Sequence, residues 1–505
     1  MFAYRIPSNK LHTARLDTDY YNPEALHAED ELENIETIKL ESAGEVWNFG
    51  AYELCNLIEQ SKEPDAPVFI AITNIDEPFI ELSQCQRVTD KTLEVLHVAA
   101  VSPGDILVSI AGSIGKCGMV PHHNQRGACA NQAIAKFRCK VGDKHFALAY
   151  FMSKQFKLLL GRQAGGAVQK NLYLHNFLKL PLLKPHPDAQ AYIGNKVRQA
   201  EALRARAREL QNSITQQLQQ AFQPEAMIGT RLYSRTLPEE IGHRLDPKYY
   251  GPIPQNIRRS LRGNSTKIAG LQPEVSNGFE CREFVPTGRP YITVGDVSSG
   301  RLELQNAPMI SWSVSVPDKA TINERCVLVV RTGSIGTAIQ PLPEDSNAAI
   351  SSHLVRLIFP SQEIAAAVAV FLSSQEGKLL QLACSYGAVQ PQISQDELVE
   401  IPIPNEVLAL GGVIFATKRR FEHTTRYASS LTSAAKYLVE ALIERKVTEA
   451  ELIAANNDPS ADRELMKKLT VDGFDVSGAA PLFDDLDRLQ ELLDEANSAG
   501  GSDEV

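Results

Sequence analysis

The side chains able to do chemistry in this chain are cations and amides rather than a catalytic set. Lys116, Arg126, Lys136, Arg138, Lys140, Lys154, Lys157, Arg162 and Lys170 crowd one stretch. Arg258, Arg259, Arg262, Arg282, Arg289, Arg325, Arg331 and Arg356 mark a later one. A guanidinium is a planar fork that matches phosphate or the guanine edge, whereas an ammonium is a point charge. Asn131, Gln132, Gln169, Asn171, Ser334, His353, Gln390 and Gln392 lie beside predicted turns, and amides can read adenine edges. The expected polyanion-binding set is therefore Lys116, Arg126, Lys136, Arg138, Lys154, Arg162, Gln169, Lys170, Arg282, Arg289, Arg331, Ser334, His353 and Gln390.

Enzyme chemistry finds no such support. Walker A, G-x-G-x-x-G, G-x-S-x-G and H-E-x-x-H patterns are missing, as is the [DNS]-P-P-[FYW] pocket of amino-methyltransferases. Cys117, His122, His123, Cys129 and Cys139 can be drawn as a zinc set, but their spacing is irregular and Cys139 falls in a predicted strand. Buried thiols and surface histidines are the better reading. Nothing marks a base for a cysteine nucleophile. No catalytic residue, metal or cofactor is expected in this chain.

Composition bounds the class. At 505 residues, 43% hydrophobic and 22% charged, the chain is a soluble globular protein of more than one domain. No run of about 18 apolar residues suggests a membrane span, and the first ten residues lack a signal-peptide core. Eight cysteines without a CxxC pair suit a reducing, cytoplasmic setting. The net charge of −10 is segregated. Residues 1–100 carry 19 acids against 7 bases, net −12; residues 101–185 carry 12 bases against 2 acids, net +10; residues 456–505 carry 13 acids against 4 bases, net −9. A block of +10 is a candidate footprint for a polyanion.

The chain also repeats itself. Arg15–Pro23 (RLDTDYYNP) recurs as Arg244–Pro252 (RLDPKYYGP), and Phe69–Asp76 pairs with 291–298. The tetrapeptide GSIG stands at 112–115 and 333–336, Ala-Val-Gln at 167–169 and 388–390, and Leu180-Pro181 answers Ile401-Pro402. The offsets are 221 to 229 in one order, so the chain is two copies of one unit. In each copy β-branched runs, Ile106–Ile110 and Cys326–Val330, lead into GSIG, and Ala133–Phe137 and Leu354–Phe359 are the return strands. One apolar helix follows, over Phe146–Leu160 and Ile364–Leu382, then a Gly loop and a short strand ending in Pro.

After each proline the period changes to a near-heptad. Ile193, Val197, Ala200, Leu203, Ala207, Leu210, Ile214, Leu218 and Ala221 step by 3 or 4 between Pro187 and Pro224. Val407, Leu410, Ile414, Phe421, Leu431, Leu438 and Leu442 mark the matching stripe in the second copy, whose first turns Gly411-Gly412 weakens. Each helix would run to about 50 Å at ~1.5 Å per residue. The stripes suggest a coiled coil within the chain, and Ile193, Val197, Leu203, Leu210, Ile214, Leu218, Phe421, Leu431, Leu438 and Leu442 are the expected partner-binding positions.

This ordered duplication resembles the specificity subunit of Type I restriction–modification systems, or of a related methylation-based phage-defence assembly. The resemblance covers about residues 12–450 and rests on the repeated strand–GSIG turn, Gly-Ala-Val-Gln, the Ile/Leu-Pro strand end (LKLPLLKP and VEIPIPN), the RLDxxYY openings and the long helices. Lys39–Glu63 is acidic, the Pro-Pro-x-x-Glu-Gln element often seen at the helix start is absent, and the tail after Ala455 has no counterpart. In that tail Pro481–Leu493 reads as a short amphipathic helix for a partner.

The resemblance implies an α+β protein with two pseudo-symmetric target recognition domains separated by an antiparallel helical coiled coil, plus an acidic tail. The divisions are domain 1 over 1–186, spacer helix 1 over 187–224, domain 2 over 225–404, spacer helix 2 over 405–455 and the extension over 456–505. It further implies recognition of a bipartite site on double-stranded DNA. Partners would be two adenine methyltransferase subunits carrying S-adenosylmethionine, with nuclease or translocase subunits beyond them. The alternatives are a DNA-binding repressor or scaffold without enzymatic partners, and a self-contained methyltransferase or nuclease.

Overall fold

The β-branched runs before each GSIG are strands because Val, Ile and Leu pack a pleated surface that is covered on both faces. Ile106–Ser109 and Cys326–Val330 are buried at every position. The structure, a computed structural model, describes residues 6, 11, 15, 17–33, 35–48, 57–166, 170–223, 235–242, 244–297, 300–302, 304, 307–387 and 390–500. Two compact units result: Met1–Ala205 with Thr424–Val505, and Arg206–His423.

The units share a sheet plan, with two further strands in the main sheet of the first. In the first, the main sheet runs Gly44–Asn48, Ile134–Cys139, Ile106–Ser109, Cys117–Met119, then Phe79–Ile80 and Ile75–Asp76. The second runs Glu274–Asn277, Leu354–Ile358, Cys326–Val330, Ala338–Ile339. A three-stranded sheet centred on Val68–Ile70 is flanked by Gln86–Arg87 (antiparallel) and Ala128–Ala130 (parallel). Its twin is centred on Arg289–Ile292, with Met309–Ile310 and Ala349–Ile350. A two-stranded sheet pairs Thr37–Lys39 with Pro181–Leu183, and Ser265–Lys267 with Pro402–Pro404. Three sheets of matching order and direction are the structural form of the sequence repeat.

The predicted single apolar helices are each two. Helix Lys144–Met152 gives way to Lys154–Gln163, and Gln362–Ser373 to Gln375–Cys384. Ser153 and Ser374 leave helical angles, and each accepts an N–H from the next helix, Phe156 and Gly377 respectively. A serine N-cap competes with helix continuation, and apolar periodicity alone does not register it.

The first long helix spans Pro187–Ala221. The second is interrupted: Asn405–Ala409, then Gly411–Ile443, then Glu449–Asn457. Gly411 sits where a Cβ would stand 2.6 Å from the Glu363 carbonyl oxygen, so glycine there permits close helix approach. Arg445 has a φ of 57°, and Thr448 with Glu451 caps the next helix. In the first unit Ile193, Val197 and Leu203 share one core with Leu431, Leu438 and Leu442. In the second, Leu218 packs on the core that holds Ile414. Leu210 is buried, while Ile214 and Phe421 are half-buried. The stripe expected to bind a partner is thus filled largely by the chain itself, because its own helices supply the complementary apolar surface.

The acidic tail is folded rather than free. Helix Pro459–Lys467, hairpin Leu469–Thr470/Gly473–Phe474, the segment after it and helix Leu486–Gly500 contribute Leu465, Met466, Leu469, Phe474, Phe483, Leu489, Leu492, Leu493 and Ala496 to the first unit's core. Asp462 accepts from Tyr192 and Lys196, both at 2.7 Å, and Tyr427 donates to Asp484 at 2.6 Å. This corrects the expectation of a partner-binding amphipathic helix: its apolar face is already covered. Among the described residues no helix is long and apolar enough to cross a membrane.

Candidate nucleic-acid interface

Gly112 and Gly115 have φ of 68° and 92°, and Gly333 and Gly336 of 84° and 108°. These are angles that side-chain-bearing residues resist. A Cβ on Gly112 or Gly333 would meet nothing within 4 Å, so both turns face open space. Ser113 and Ser334 are exposed at the tips.

Each turn is tied to the residues that flank Ala-Val-Gln in sequence. Leu172 N–H donates to the Ile110 carbonyl at 2.8 Å, and Ile393 N–H to the Arg331 carbonyl at 3.0 Å. Gly165 and Asn171 exchange two backbone bonds of 2.9 and 2.8 Å; Tyr386 and Gln392 exchange two of 2.8 Å. These are equivalent positions, 221 residues apart. The RLDxxYY motif braces the same loop from behind. Arg15 donates to the Ala164 carbonyl at 3.1 Å and Arg244 to the Cys384 carbonyl at 2.6 Å. The hydroxyls of Tyr21 and Tyr250 donate back to the carbonyls of Arg15 and Arg244, both at 2.9 Å. Arg15 holds the Asp17 carboxyl at about 2, below the usual range.

The cations divide by whether a carboxylate already holds them. Arg126 is clasped by Glu63, Asp65 and Asp90. Arg138 meets Asp105 at 2.7 Å, Lys154 meets Glu24 at 3.7 Å and Lys170 meets Asp19 at 2.9 Å. Arg282 bonds Glu280 at 2.8 Å. In the first unit the partners come from the acidic residues 1–105, so folding largely neutralises the +10 block. The footprint inferred from linear charge is corrected accordingly. Apart from Arg138–Asp105, whose carboxylate is buried, pairs this exposed contribute little to stability, but a phosphate must compete with them.

Two members of the predicted set face inward. Lys136 is fully buried, its ammonium donating to the Val98 carbonyl at 3.2 Å. Arg162 is 4% exposed, beside Glu29 and 4.4 Å from the Tyr20 ring centroid. Both close off backbone carbonyls, as Arg356 does on Asp318 and Thr321 in the second unit. A strand places Lys136 and Arg356, and a helix face Arg162, inside, while composition marks all three as surface. Gln169 lies outside the described residues.

What remains clusters at the turns. Lys116 follows the first GSIG and is exposed. Arg331 precedes the second, and its N–H donates to the His353 carbonyl at 3.1 Å, which sets His353 beside the turn. Gln390 is exposed in the braced loop. No described carboxylate pairs with Lys116, Arg289 or Arg331. Sequence reasoning missed the exposed aromatics: Tyr173 and Tyr386 in the braced loops, Phe284 and Trp312 elsewhere. An aromatic between polar residues without period, as in Ser311-Trp312-Ser313, was the available signal.

No family model and no curated protein matches the chain. Among solved structures it is similar to the S subunit of a Type I restriction–modification system from M. genitalium. That match has a TM-score of 0.45 and 14% identity over 81% of this chain and 96% of that one. The HsdS subunit from Thermoanaerobacter tengcongensis matches at TM-score 0.25 and 12% identity, over 82% and 97%. The type IIG restriction endonuclease BpuSI matches at TM-score 0.27 and 11% identity, over 36% and 28%.

The zinc alternative meets buried thiols instead. Burial pushes the Cys129 thiol up to about 12 and the Cys117 thiol well above its usual value. No group of His, Cys, Asp and Glu that could hold a metal occurs among the described residues.

Burial pushes Lys136 down to about 8 from 10.5. Below pH 8 the buried ammonium lowers stability, and that penalty is relieved as pH rises towards 10.5. Relative to Lys136→Met, the native chain should gain up to about 3 kcal/mol across that window. Urea melts of both proteins at pH 7 and pH 10 check it.

Proposed function

We propose that this chain is a non-catalytic DNA-specificity subunit of the Type I restriction–modification kind, or of a related methylation-based defence complex. The observation that carries this reading is the duplicated turn: an open Gly-Ser-Ile-Gly, locked by the same backbone bonds to the same flanking residues, in two units whose main sheets share the order of four strands. Each unit reads one half of a bipartite double-stranded site. Lys116 and the first turn serve one half; Arg331, Ser334, His353 and Gln390 serve the other.

The long helices form the antiparallel coiled coil that sets the unread spacer. In support, the start of the first helix shares a core with the end of the second, and its end packs on the core holding the second's start. One unit reading a few base pairs gains only ~1–3 kcal/mol of discrimination per pair, so two linked units are needed to single out a genomic site. Two methyltransferase subunits supply S-adenosylmethionine and adenine methylation, with nuclease or translocase subunits as further partners. Because the apolar stripe is filled from within, those subunits dock on the remaining helix surface.

Long-read mapping of methylated adenines in host cells with and without the gene tests this. Loss of one bipartite motif on deletion is expected. An unchanged methylation pattern would sink the reading.

A further inference from the structure

The two units share a fold but not a surface. We infer that the second unit carries an arginine–aromatic platform, Arg289 with Trp312 and Phe284, which contacts bases or deoxyribose of the half-site that unit reads; this rests on the DNA-reading function proposed above.

The three residues converge on one corner of the three-stranded sheet. Arg289 opens its central strand opposite Ile310, two residues before Trp312. Val285 N–H donates to the Met309 carbonyl at 2.8 Å, which fixes Phe284 to the same edge. Tyr291 pins the loop further: its hydroxyl donates to the Phe279 carbonyl at 2.6 Å and accepts from Cys281 N–H at 3.2 Å. The Phe284 ring lies 6.0 Å from that of Tyr291.

This corner is held rigid yet left open. Trp312 is 60% exposed and Phe284 51%. Single exposed aromatics are commonplace, but here a cation accompanies the pair. The Arg289 guanidinium lies 5.3 Å from the Trp312 ring centroid, its Nε is buried without a hydrogen bond, and no described carboxylate neutralises it. A guanidinium that no described carboxylate holds, beside an open indole, suits a ligand that is both anionic and planar. A nucleic acid is such a ligand, and an apolar protein face is not.

The first unit differs at the equivalent corner, beside Val68–Ile70 and Gln86–Arg87. There Arg126 is surrounded by Glu63, Asp65 and Asp90, and the exposed Arg87 has no described aromatic ring over it. The halves of the site are thus read with different chemistry.

The full chain and its Trp312→Ala, Phe284→Ala, Arg289→Ala and Arg126→Ala variants should be used to select from duplexes of randomised core sequence. Thermal melts of each variant confirm folding before binding is compared. Trp312→Ala and Arg289→Ala are expected to weaken binding about tenfold or more and to relax the selected bases in one half only. Arg126→Ala should leave both halves as selected by the parent. If the parent selects a bipartite motif and Trp312→Ala and Arg289→Ala select it with equal affinity, the platform is refuted while DNA reading stands. If the parent selects nothing, DNA reading itself has failed. Unchanged selection by Trp312→Ala with loss of a co-purifying protein would make the corner a protein-docking site and overturn the inference.

Discussion

Replacing residues 57–133 with the matching segment of a relative that reads a different site is expected to change one half of the methylated motif completely. The other half and the spacer should stay as they were. The segment carries two small cores drawn from residues between Ile58 and Ile134, and its strand Ile106–Ser109 must keep its register against Ile134–Cys139. The larger core carries the long helix and lies mostly outside it, so matching Phe79, Ile106, Val108, Ile110, Cys117 and Met119 preserves the junction. A boundary at Phe69, natural from the sequence repeat, would cut the strand Val68–Ile70 between its two neighbours. At ~1–3 kcal/mol per mismatched pair, three or four altered contacts exceed what the native half could offset, so the old site should be lost. Methylation mapping reads the outcome, and a change in both halves would refute modular reading.

Removing residues 459–505 is expected to destabilise the first unit severely. From composition the segment looks like a dispensable charged tail. In the fold it places nine buried apolar residues, from Leu465 to Ala496, against Tyr427, Leu431, Leu438 and their neighbours. Each fully buried large side chain contributes about 1.5–3 kcal/mol before the entropy of ordering is subtracted. Tyr192 and Lys196 also lose Asp462, and Tyr427 loses Asp484. We expect the melting temperature to fall by about 10 °C or more, with aggregation from the bared helix face. A truncated chain that melts with the full one would show that this packing contributes nothing.

Much of the architecture could be read from local pattern. The offsets of GSIG and of Leu/Ile-Pro put equivalent strands within a residue or two of where they stand, and the heptad stripe marked the long helix to its last turn. The serine breaks at Ser153 and Ser374 and the turn at Arg445 went unread, since one polar cap outweighs apolar periodicity only where tertiary contacts hold the new direction. At the interface, the turns were found through repetition. The platform residues were partly missed because exposure, not residue type, distinguishes Trp312 from a core tryptophan.

By itself the sequence determined that one unit is used twice, which runs are strands, and where glycine must bend the chain. Those features depend on backbone sterics and side-chain period over a few residues, and neighbours in sequence settle them. Which cations remain open was decided only by the tertiary structure. Arg162 finds Glu29, Lys154 finds Glu24 and Lys170 finds Asp19 across more than a hundred residues of chain. Charge acts through space, so no count along the sequence could tell an occupied arginine from a free one.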